Sequence, residues 1–285
     1  AYMDVSTLTR PYAPDPSVRI WNDQSKAWET MQVGVNTGYP GMTQSWGPEV
    51  QFALDFKARF PGETLQIVKI AHGGTGLRID PGLWKYDWSP ASENELFDDA
   101  TATIRAATQA AGLGRPDMLL WGQGEEDSTT AEAAAAYQQN LSAFFAAVRQ
   151  EWLGDPAGKI GFFKLGGSGA YLNQVREAQG AVDAADPNAV SFDTLYMPRL
   201  GDGVHMSGPA HEMSGAEFFK IYAALRTGQQ PGGGAGQRLD GGAGPDTLFG
   251  GPNGDSAAGS WGDDYLRGFE GDDLMSGGDG FDILQ

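Results

Sequence analysis

From Gly241 onwards the sequence repeats with a period of nine residues. This period restricts the fold of residues 241–285 more strongly than any other feature of the sequence. Each repeat begins with glycine, carries an aspartate five positions later and an apolar residue two positions after that. Nine residues suffice for one short strand and one turn, so a single repeat cannot bury its apolar residue alone. The repeats are therefore expected to stack as a parallel β-roll. In chain order, their aspartates are Asp246, Asp255, Asp264, Asp273 and Asp282.

The repeat resembles the calcium-binding nonapeptide of RTX proteins, G-G-x-G-x-D-x-U-x, in which U is apolar. The second repeat is degenerate, with Asn253 at a usual glycine position and Ala257 at the apolar one. The resemblance implies that the five aspartates bind Ca²⁺ together with loop carbonyls. The first, third and fifth aspartates are expected on one edge of the roll, and the second and fourth on the other. The alternative, a disordered acidic tail, describes the state expected without calcium but does not account for the period.

Charge and composition narrow the classes of function. The 285 residues carry 37 acidic and 19 basic side chains, a net charge of −18, so nucleic acid and anionic membranes should repel the chain. Residues 241–285 alone hold nine acids and one base, and carboxylates suit hard cations. No apolar run approaches about 18 residues, so no membrane span is expected. The absence of cysteine excludes disulfides and thiolate metal sites.

Before the repeats, short apolar runs alternate with helical patterns four times. This alternation is typical of parallel strands joined by helices and predicts a flavodoxin-like three-layer α/β/α sandwich with a parallel sheet. A hairpin is expected earlier, around Val18–Met31. The predicted division is an α/β domain over residues 1–227, a Gly-, Gln- and Pro-rich linker over 228–240, and the repeats over 241–285. The four apolar runs are Leu65–Ala71, Asp117–Trp121, Lys159–Leu165 and Val190–Leu195.

Three glycine-rich loops follow strands of this pattern: residues 72–76, 122–127 and 201–205. Ligands of open parallel sheets bind outside the carboxyl ends of the strands, so the loops should converge on one site. In the third loop Asp202 and His205 lie three residues apart. Histidine suits a general base near neutral pH, and an aspartate can hold its tautomer and stabilise the imidazolium. Spacing alone favours a simpler alternative, in which Asp202 and Gly203 form a turn and His205 packs nearby.

The chain between Trp46 and Leu225 resembles the SGNH-hydrolase superfamily, in its sialate O-acetylesterase and acetylxylan esterase branch. The matching pieces are WGPE, KIAHGGTGL, WGQGEED, QVREAQ and DGVHMS, in that order. The resemblance implies a serine hydrolase that removes acetyl groups from carbohydrate, with His205 as base and Asp202 as its partner. It also implies that Gly74 and Gln123 bind the oxyanion, as a close backbone N–H and a neutral side-chain donor can do.

Three further residues are candidates for lining the pocket, each with a structural alternative. His72 could line it, although a hydrogen-bonded structural histidine is the simpler interpretation. Glu125 could be buried and hold its loop in shape. Ser168, in GGSG after the strand Lys159–Leu165, lies on the correct edge of the sheet but lacks an elbow motif.

The nucleophile of the family lies in a G-Q-S-N or G-D-S motif after the first strand, and no such strand or motif occurs in these residues. In a sheet of order 2-1-3-4-5 that strand is internal. We therefore expect the nucleophilic serine outside the 285 residues, on a strand from an upstream segment or a second polypeptide.

The leading hypothesis is a bacterial carbohydrate acetylesterase, secreted by type I export, with a calcium-binding tail and no catalytic cofactor. Two other classes remain open at this point. One is a non-catalytic carbohydrate-binding or surface protein on the same fold. The other is a general short-chain esterase or lipase.

Overall fold

The computed structural model describes residues 3–38, 44–79, 86–226, 238–249, 255–268 and 273–284, and the chain divides into two units between Phe219 and Lys220. Up to the end of the last helix, the strands are β1 Met3–Asp4, β2 Val18–Asn22, β3 Ala27–Thr30, β4 Ser45–Trp46, β5 Leu65–Ile67, β6 Met118–Trp121, β7 Lys159–Lys164 and β8 Ala189–Asp193. The helices are α1 Glu49–Arg59, α2 Leu96–Ala111, α3 Ala131–Val148, α4 Leu172–Ala185 and α5 Gly208–Arg226.

Six of the eight strands of the first unit form two three-stranded sheets, and β1 and β4 form a two-stranded antiparallel sheet. One three-stranded sheet is parallel throughout, in the order β6-β7-β8, and the other has the order β3-β2-β5, with β2 parallel to β5 and antiparallel to β3. The predicted α/β class and the predicted hairpin are confirmed. No strand in the described residues pairs with both β5 and β6, which agrees with the expected lack of an internal strand between them.

Helix α3 supplies the core above the sheet β6-β7-β8. Its alanine-rich sequence has high helix propensity, and the Thr130 hydroxyl caps it by accepting the Ala133 N–H at 3.3 Å. Phe144, fully buried, lies 4.4 Å between ring centroids from Trp121 at the end of β6. Truncation of such an aromatic costs about 3–5 kcal/mol. The carboxyl end of β6, and with it the loop that follows, is thereby anchored.

The second unit contains two parallel three-stranded sheets, with the orders β13-β11-β9 and β10-β12-β14. Successive strands alternate between the sheets, and neighbours within a sheet come from alternate repeats. The strands are β9 Arg238–Ala243, β10 Thr247–Phe249, β11 Ser256–Trp261, β12 Tyr265–Arg267, β13 Leu274–Asp279 and β14 Ile283–Leu284.

The predicted linker 228–240 is too long at its carboxyl end. Residues 228–237 lie outside the described residues, but 238–240 already belong to β9, where Leu239 pairs with Ala257. Leu239 stands nine residues before Leu248, so the apolar series of the repeats begins one repeat earlier than the aspartate series, which starts at Asp246.

Candidate active site

The loop after β8 brings Asp202 and His205 together. Two backbone hydrogen bonds fold the loop on itself, from Leu200 N–H to the His205 carbonyl at 2.8 Å and from Gly203 N–H to the Leu200 carbonyl at 2.9 Å. Gly203 has φ +70°, a left-handed conformation that favours glycine. In this turn His205 Nδ1 lies 2.6 Å from Asp202 Oδ2.

The other carboxylate oxygen of Asp202 accepts two backbone N–H groups, from Val204 and His205, both at 2.9 Å. The His205 side chain, followed by these N–H groups, lowers the pKa of Asp202 to about 2. An ionised carboxylate at Nδ1 keeps the proton on that nitrogen and leaves Nε2 as the acceptor. The side chains are 55% and 47% exposed for His205 and Asp202, so a reacting group can approach.

The loop after β7 packs directly on this turn. The Ser168 N–H donates to the Gly203 carbonyl at 2.9 Å, and the exposed Ser168 hydroxyl lies 3.1 Å from the point where a β carbon on Gly203 would be. Ser168 is therefore a neighbour of the Asp202–His205 pair. A side chain at residue 203 would meet Ser168 as well as an unfavourable φ.

The loop after β5 exposes backbone. Gly74 has φ +69°, is exposed, and would meet nothing within 4 Å if it carried a β carbon. The backbone of Gly74 is thus open on the side where a side chain would lie. His72 stacks on Tyr86 with ring centroids 5.4 Å apart, and its carbonyl accepts the Thr75 hydroxyl at 3.1 Å, so it has a structural role in this loop.

Gln123, at the end of β6, is buried, and its amide nitrogen donates to the Thr75 carbonyl at 3.0 Å and to Asp127 Oδ2 at 2.6 Å. These bonds use both hydrogens of the amide. Glu125 is half-buried in the same loop. Burial lowers the pKa of Arg199, and the charges of Glu125 and Asp193 oppose that shift, so Glu125 acts on the loop that leads to His205.

The structure adds charged residues at the ends of β7 and β8 that the sequence analysis missed. Asp193, 1% exposed, forms an ion pair with Arg176 at 2.6 Å and approaches Lys164 Nζ at 3.5 Å. The buried carboxylate is thus paired with two cations, as burial of a charge requires. It also ties α4 to the two strands whose loops meet at Ser168 and Gly203. The position of Asp193 as the last residue of an apolar strand is the signal that could have identified it.

In the repeats, the aspartates lie in two columns. The N–H of Asp246 donates to Asp264 Oδ1 at 2.8 Å, and that of Asp264 to Asp282 Oδ1 at 3.0 Å. The N–H of Asp255 donates to Asp273 Oδ1 at 2.8 Å. This is the division between two edges that the alternating repeats predict.

The free oxygens of the first column form a cradle for a cation. Oδ2 of Asp246 and of Asp264 is buried without a hydrogen-bond partner in the described residues. A β carbon on Gly241 would lie 2.8 Å from both Asp246 Oδ2 and the Gly259 carbonyl oxygen. Burial, and then the charges of Asp282, Asp246 and Asp263, raise the pKa of Asp264. Carboxylate and carbonyl oxygens converging on a glycine fit Ca²⁺, which takes oxygen ligands.

No cluster of three or more His, Asp or Glu residues suited to a metal occurs in the part of the chain that the structure describes. In the same residues, no helix is long and apolar enough to cross a membrane.

A family model described as carbohydrate esterase, sialic acid-specific acetylesterase, matches residues 4–224. A model of the RTX calcium-binding nonapeptide repeat matches residues 231–266 and 249–284. No match was found among curated proteins.

Solved structures resemble the fold of the first unit at low identity. A protein from Arabidopsis thaliana has a TM-score of 0.63 and 24% identity, over 74% of this chain and 83% of its own. A carbohydrate acetylesterase from Xanthomonas citri has a TM-score of 0.50 and 16% identity, over 75% of this chain and 50% of its own. The protein NanS has a TM-score of 0.54 and 13% identity, over 76% of this chain and 90% of its own.

Proposed function

The chain belongs to the carbohydrate esterase family of sialic acid-specific acetylesterases and carries RTX calcium-binding repeats, and we propose that it removes acetyl groups from carbohydrate by serine-hydrolase chemistry. The observation that carries the proposal is the contact of 2.6 Å between Asp202 and His205 in an open loop after a parallel strand. The family and the acetylesterase among the similar structures support the substrate class.

His205 acts as the base. Its Nε2 takes the proton of a serine hydroxyl, which is a weak nucleophile until a base removes that proton. The serine oxygen then attacks the acetyl carbonyl, the bond between the acetyl carbon and the sugar oxygen breaks, and His205 gives the proton to that oxygen, which leaves as a sugar hydroxyl. Water repeats the cycle on the acetyl-enzyme and releases acetate. Asp202 holds the imidazole tautomer and stabilises the imidazolium in both halves.

The loop 74–77 provides the oxyanion site. We propose the Gly74 N–H as the donor, since this exposed glycine has a left-handed backbone and nothing lies within 4 Å of where its β carbon would be. Preorganised donors of this kind contribute about 2.7–4 kcal/mol each to transition-state stabilisation. The Gln123 amide borders the same loop, and it can donate to an oxyanion only by giving up one of its two hydrogen bonds.

The nucleophile is a serine on a strand outside these 285 residues, supplied by an upstream segment or a second polypeptide. The edges of the two sheets support this assignment. β5 and β6 are edge strands in the described chain, and Ile67, Leu119 and Leu120 on them are only half-buried. Strands of parallel sheets are normally buried on both faces, and open edges are sites of strand addition.

Ser168 is the competing nucleophile within the chain, since it packs on Gly203. Two other serines, Ser6 and Ser45, are less suited than Ser168 to act as the nucleophile. Ser6 lies in a short turn capped by Asp4, and Ser45 lies in β4.

Acetate release from acetylated sialic acid and acetylated xylan by the full-length protein tests the function. The expected result is release from at least one of them, little activity on long-chain esters, and labelling of one serine by a fluorophosphonate. The variant Ser168→Ala should keep both activity and label. Loss of the label in that variant would identify Ser168 as the nucleophile. A full-length protein that binds acetylated sugar without releasing acetate would instead be a binding protein, and preference for long acyl chains would indicate a lipase.

The repeats form a calcium-stabilised parallel β-roll, and we expect chelation to unfold it. Without cations, the stacked carboxylates of Asp246, Asp264 and Asp282 repel one another. Circular dichroism in EDTA should therefore show loss of β structure with the first unit's helices retained, and added calcium should restore it. Unchanged spectra and melting in EDTA would contradict the assignment.

Acidification provides a control for the same experiment. The pKa of Asp264 is raised in the folded state, so the folded tail binds protons more tightly than the unfolded tail. Its stability without calcium should increase as the pH falls towards the ordinary aspartate pKa and decrease as the pH rises through the raised value. With calcium the pH dependence should reverse. The stability of the tail should then decrease as the pH falls, because protonated carboxylates no longer bind the ion.

RTX repeats are typical of secreted proteins, and we propose that this protein is secreted from a bacterium by type I export. The calcium requirement agrees with this location, since a chain kept unfolded without calcium would fold where calcium is abundant. A secretion assay with the repeats deleted tests the proposal, and undiminished export would contradict it.

A further inference from the structure

Four buried polar side chains behind the loops of the site form one hydrogen-bonded network. Gln123, Asp127, Tyr137 and Gln179 are between 0% and 6% exposed. They come from the loop after β6 and from helices α3 and α4. Their hydrogen bonds extend to the loop after β5 and to the end of β7.

Asp127 is the end of the network nearest the oxyanion loop. Its carboxylate accepts the Leu77 N–H at 3.0 Å and the Gln123 amide at 2.6 Å. A β carbon on Gly76 would lie 3.2 Å from Asp127 Oδ1, so the turn sits closely over the carboxylate. Asp127 therefore holds the backbone immediately after Gly74 and Thr75.

Gln123 connects that turn to β6. While its amide nitrogen donates to Asp127 and to the Thr75 carbonyl, its own carbonyl groups accept the Tyr137 hydroxyl, at 2.9 Å for the backbone oxygen and 3.2 Å for Oε1. The side chain is thereby held at both ends. Burial raises the pKa of Tyr137 well above its usual range, so its hydroxyl remains a donor.

Gln179 extends the network to β7. Its amide nitrogen donates to the Gln123 backbone carbonyl at 3.1 Å, and its Oε1 accepts the Leu165 N–H at 2.7 Å. Leu165 directly precedes the glycine loop that packs on Gly203. One chain of side chains thus links the loops after β5, β6 and β7.

From this geometry we infer that Gln123, Asp127, Tyr137 and Gln179 are a unit of positioning residues that sets the Gly74 N–H for the oxyanion. The inference rests on the proposed function. Gln123 acts mainly through the turn, because its amide hydrogens are both engaged. Polar groups buried at this depth must be fully paired, so loss of one bond disturbs the others.

Two nearly isosteric variants test the unit. In Asp127→Asn, one orientation sets the new amide nitrogen at the Oδ2 position, against both the Gln123 donor and the Leu77 N–H. The other sets it at the Oδ1 position, 3.2 Å from the Leu77 nitrogen, so that this N–H loses one of its two acceptors. Tyr137→Phe removes only the hydroxyl that bonds to Gln123. The matched control is Asp183→Asn, since Asp183 is also buried and also accepts a backbone N–H, that of Ser191 at 3.0 Å.

In the full-length protein, both network variants should lower kcat by about 10–100-fold and leave KM within about twofold, because an oxyanion donor acts in the transition state. Asp183→Asn should lower the melting temperature by a comparable amount and keep kcat within about twofold. Equal kcat values in Asp127→Asn and Asp183→Asn would overturn the inference.

Hydrogen exchange supplies a readout independent of activity. The Leu77 amide should exchange at least about 10-fold faster in Asp127→Asn and at the wild-type rate in Asp183→Asn. An unchanged rate in Asp127→Asn would overturn the positioning role of Asp127 even if kcat falls. Absence of esterase activity in the wild-type protein would refute the proposed function, and the exchange rates would still show whether the unit holds the turn.

Discussion

Replacement of His205 by alanine is expected to lower kcat by about 10⁴–10⁶, by analogy with histidine removal in serine proteases. His205 is the described group near the loop that can take a proton from a serine hydroxyl. Its partner is already in place, because Asp202 Oδ2 lies 2.6 Å from His205 Nδ1. The fold should be retained, because the side chain is 55% exposed and contributes little to packing. Turnover of an acetyl ester and the circular dichroism spectrum check both parts.

His211→Phe is the matched control. The His211 ring is buried against Trp46, with centroids 6.0 Å apart, and its nitrogens have no hydrogen-bond partner in the described residues. Burial lowers its pKa to about 3, so it stays neutral and cannot cycle a proton near neutral pH. This variant should keep kcat within a few-fold of wild type. If His205→Ala retained wild-type turnover while His211→Phe lost it, the base would be assigned to the wrong histidine.

Asp202→Asn should lower kcat by about 10⁴, again by analogy with the serine-protease triad. Asparagine can still accept the Val204 and His205 N–H groups through Oδ1, so the turn should be preserved. Its amide then faces His205 Nδ1 as a donor and favours the tautomer with the proton on Nε2. That nitrogen can no longer take a proton from the nucleophile.

The pH dependence separates this role from a structural one. The pKa of Asp202 is about 2, below the ordinary aspartate value of 3.8. The Asp202 carboxyl is therefore fully ionised above about pH 4, and its charged contact with His205 is lost only as the pH falls towards 2. The loss in Asp202→Asn should be the same at every pH above about 5. A kcat deficit that disappears at higher pH, or a turn disrupted in the variant's structure, would contradict the tautomer argument.

The repeats and the Asp202–His205 loop were predictable because their signals are local. A period of nine residues specifies which aspartates share an edge before any tertiary contact is known, and the Asp246–Asp264 and Asp264–Asp282 bonds follow it. A three-residue spacing around Gly203 is likewise short enough for the turn alone to bring Nδ1 and Oδ2 together. Leu239 was not singled out because its repeat carries Gln237 at the position of the aspartate.

The α/β class, the glycine loops after the strands and the stacked repeats follow from the sequence alone, since periodicity and turn residues act over a few positions. Only the fold shows that β2 and β3 join β5 in a separate sheet, that the Gln123 amide is occupied and that Asp127 supports the turn at Leu77. Distance along the chain explains this difference. The bonds from Gln123 to Thr75 and from Gln179 to Gln123 join residues 48 and 56 positions apart, and no local spacing encodes such partners.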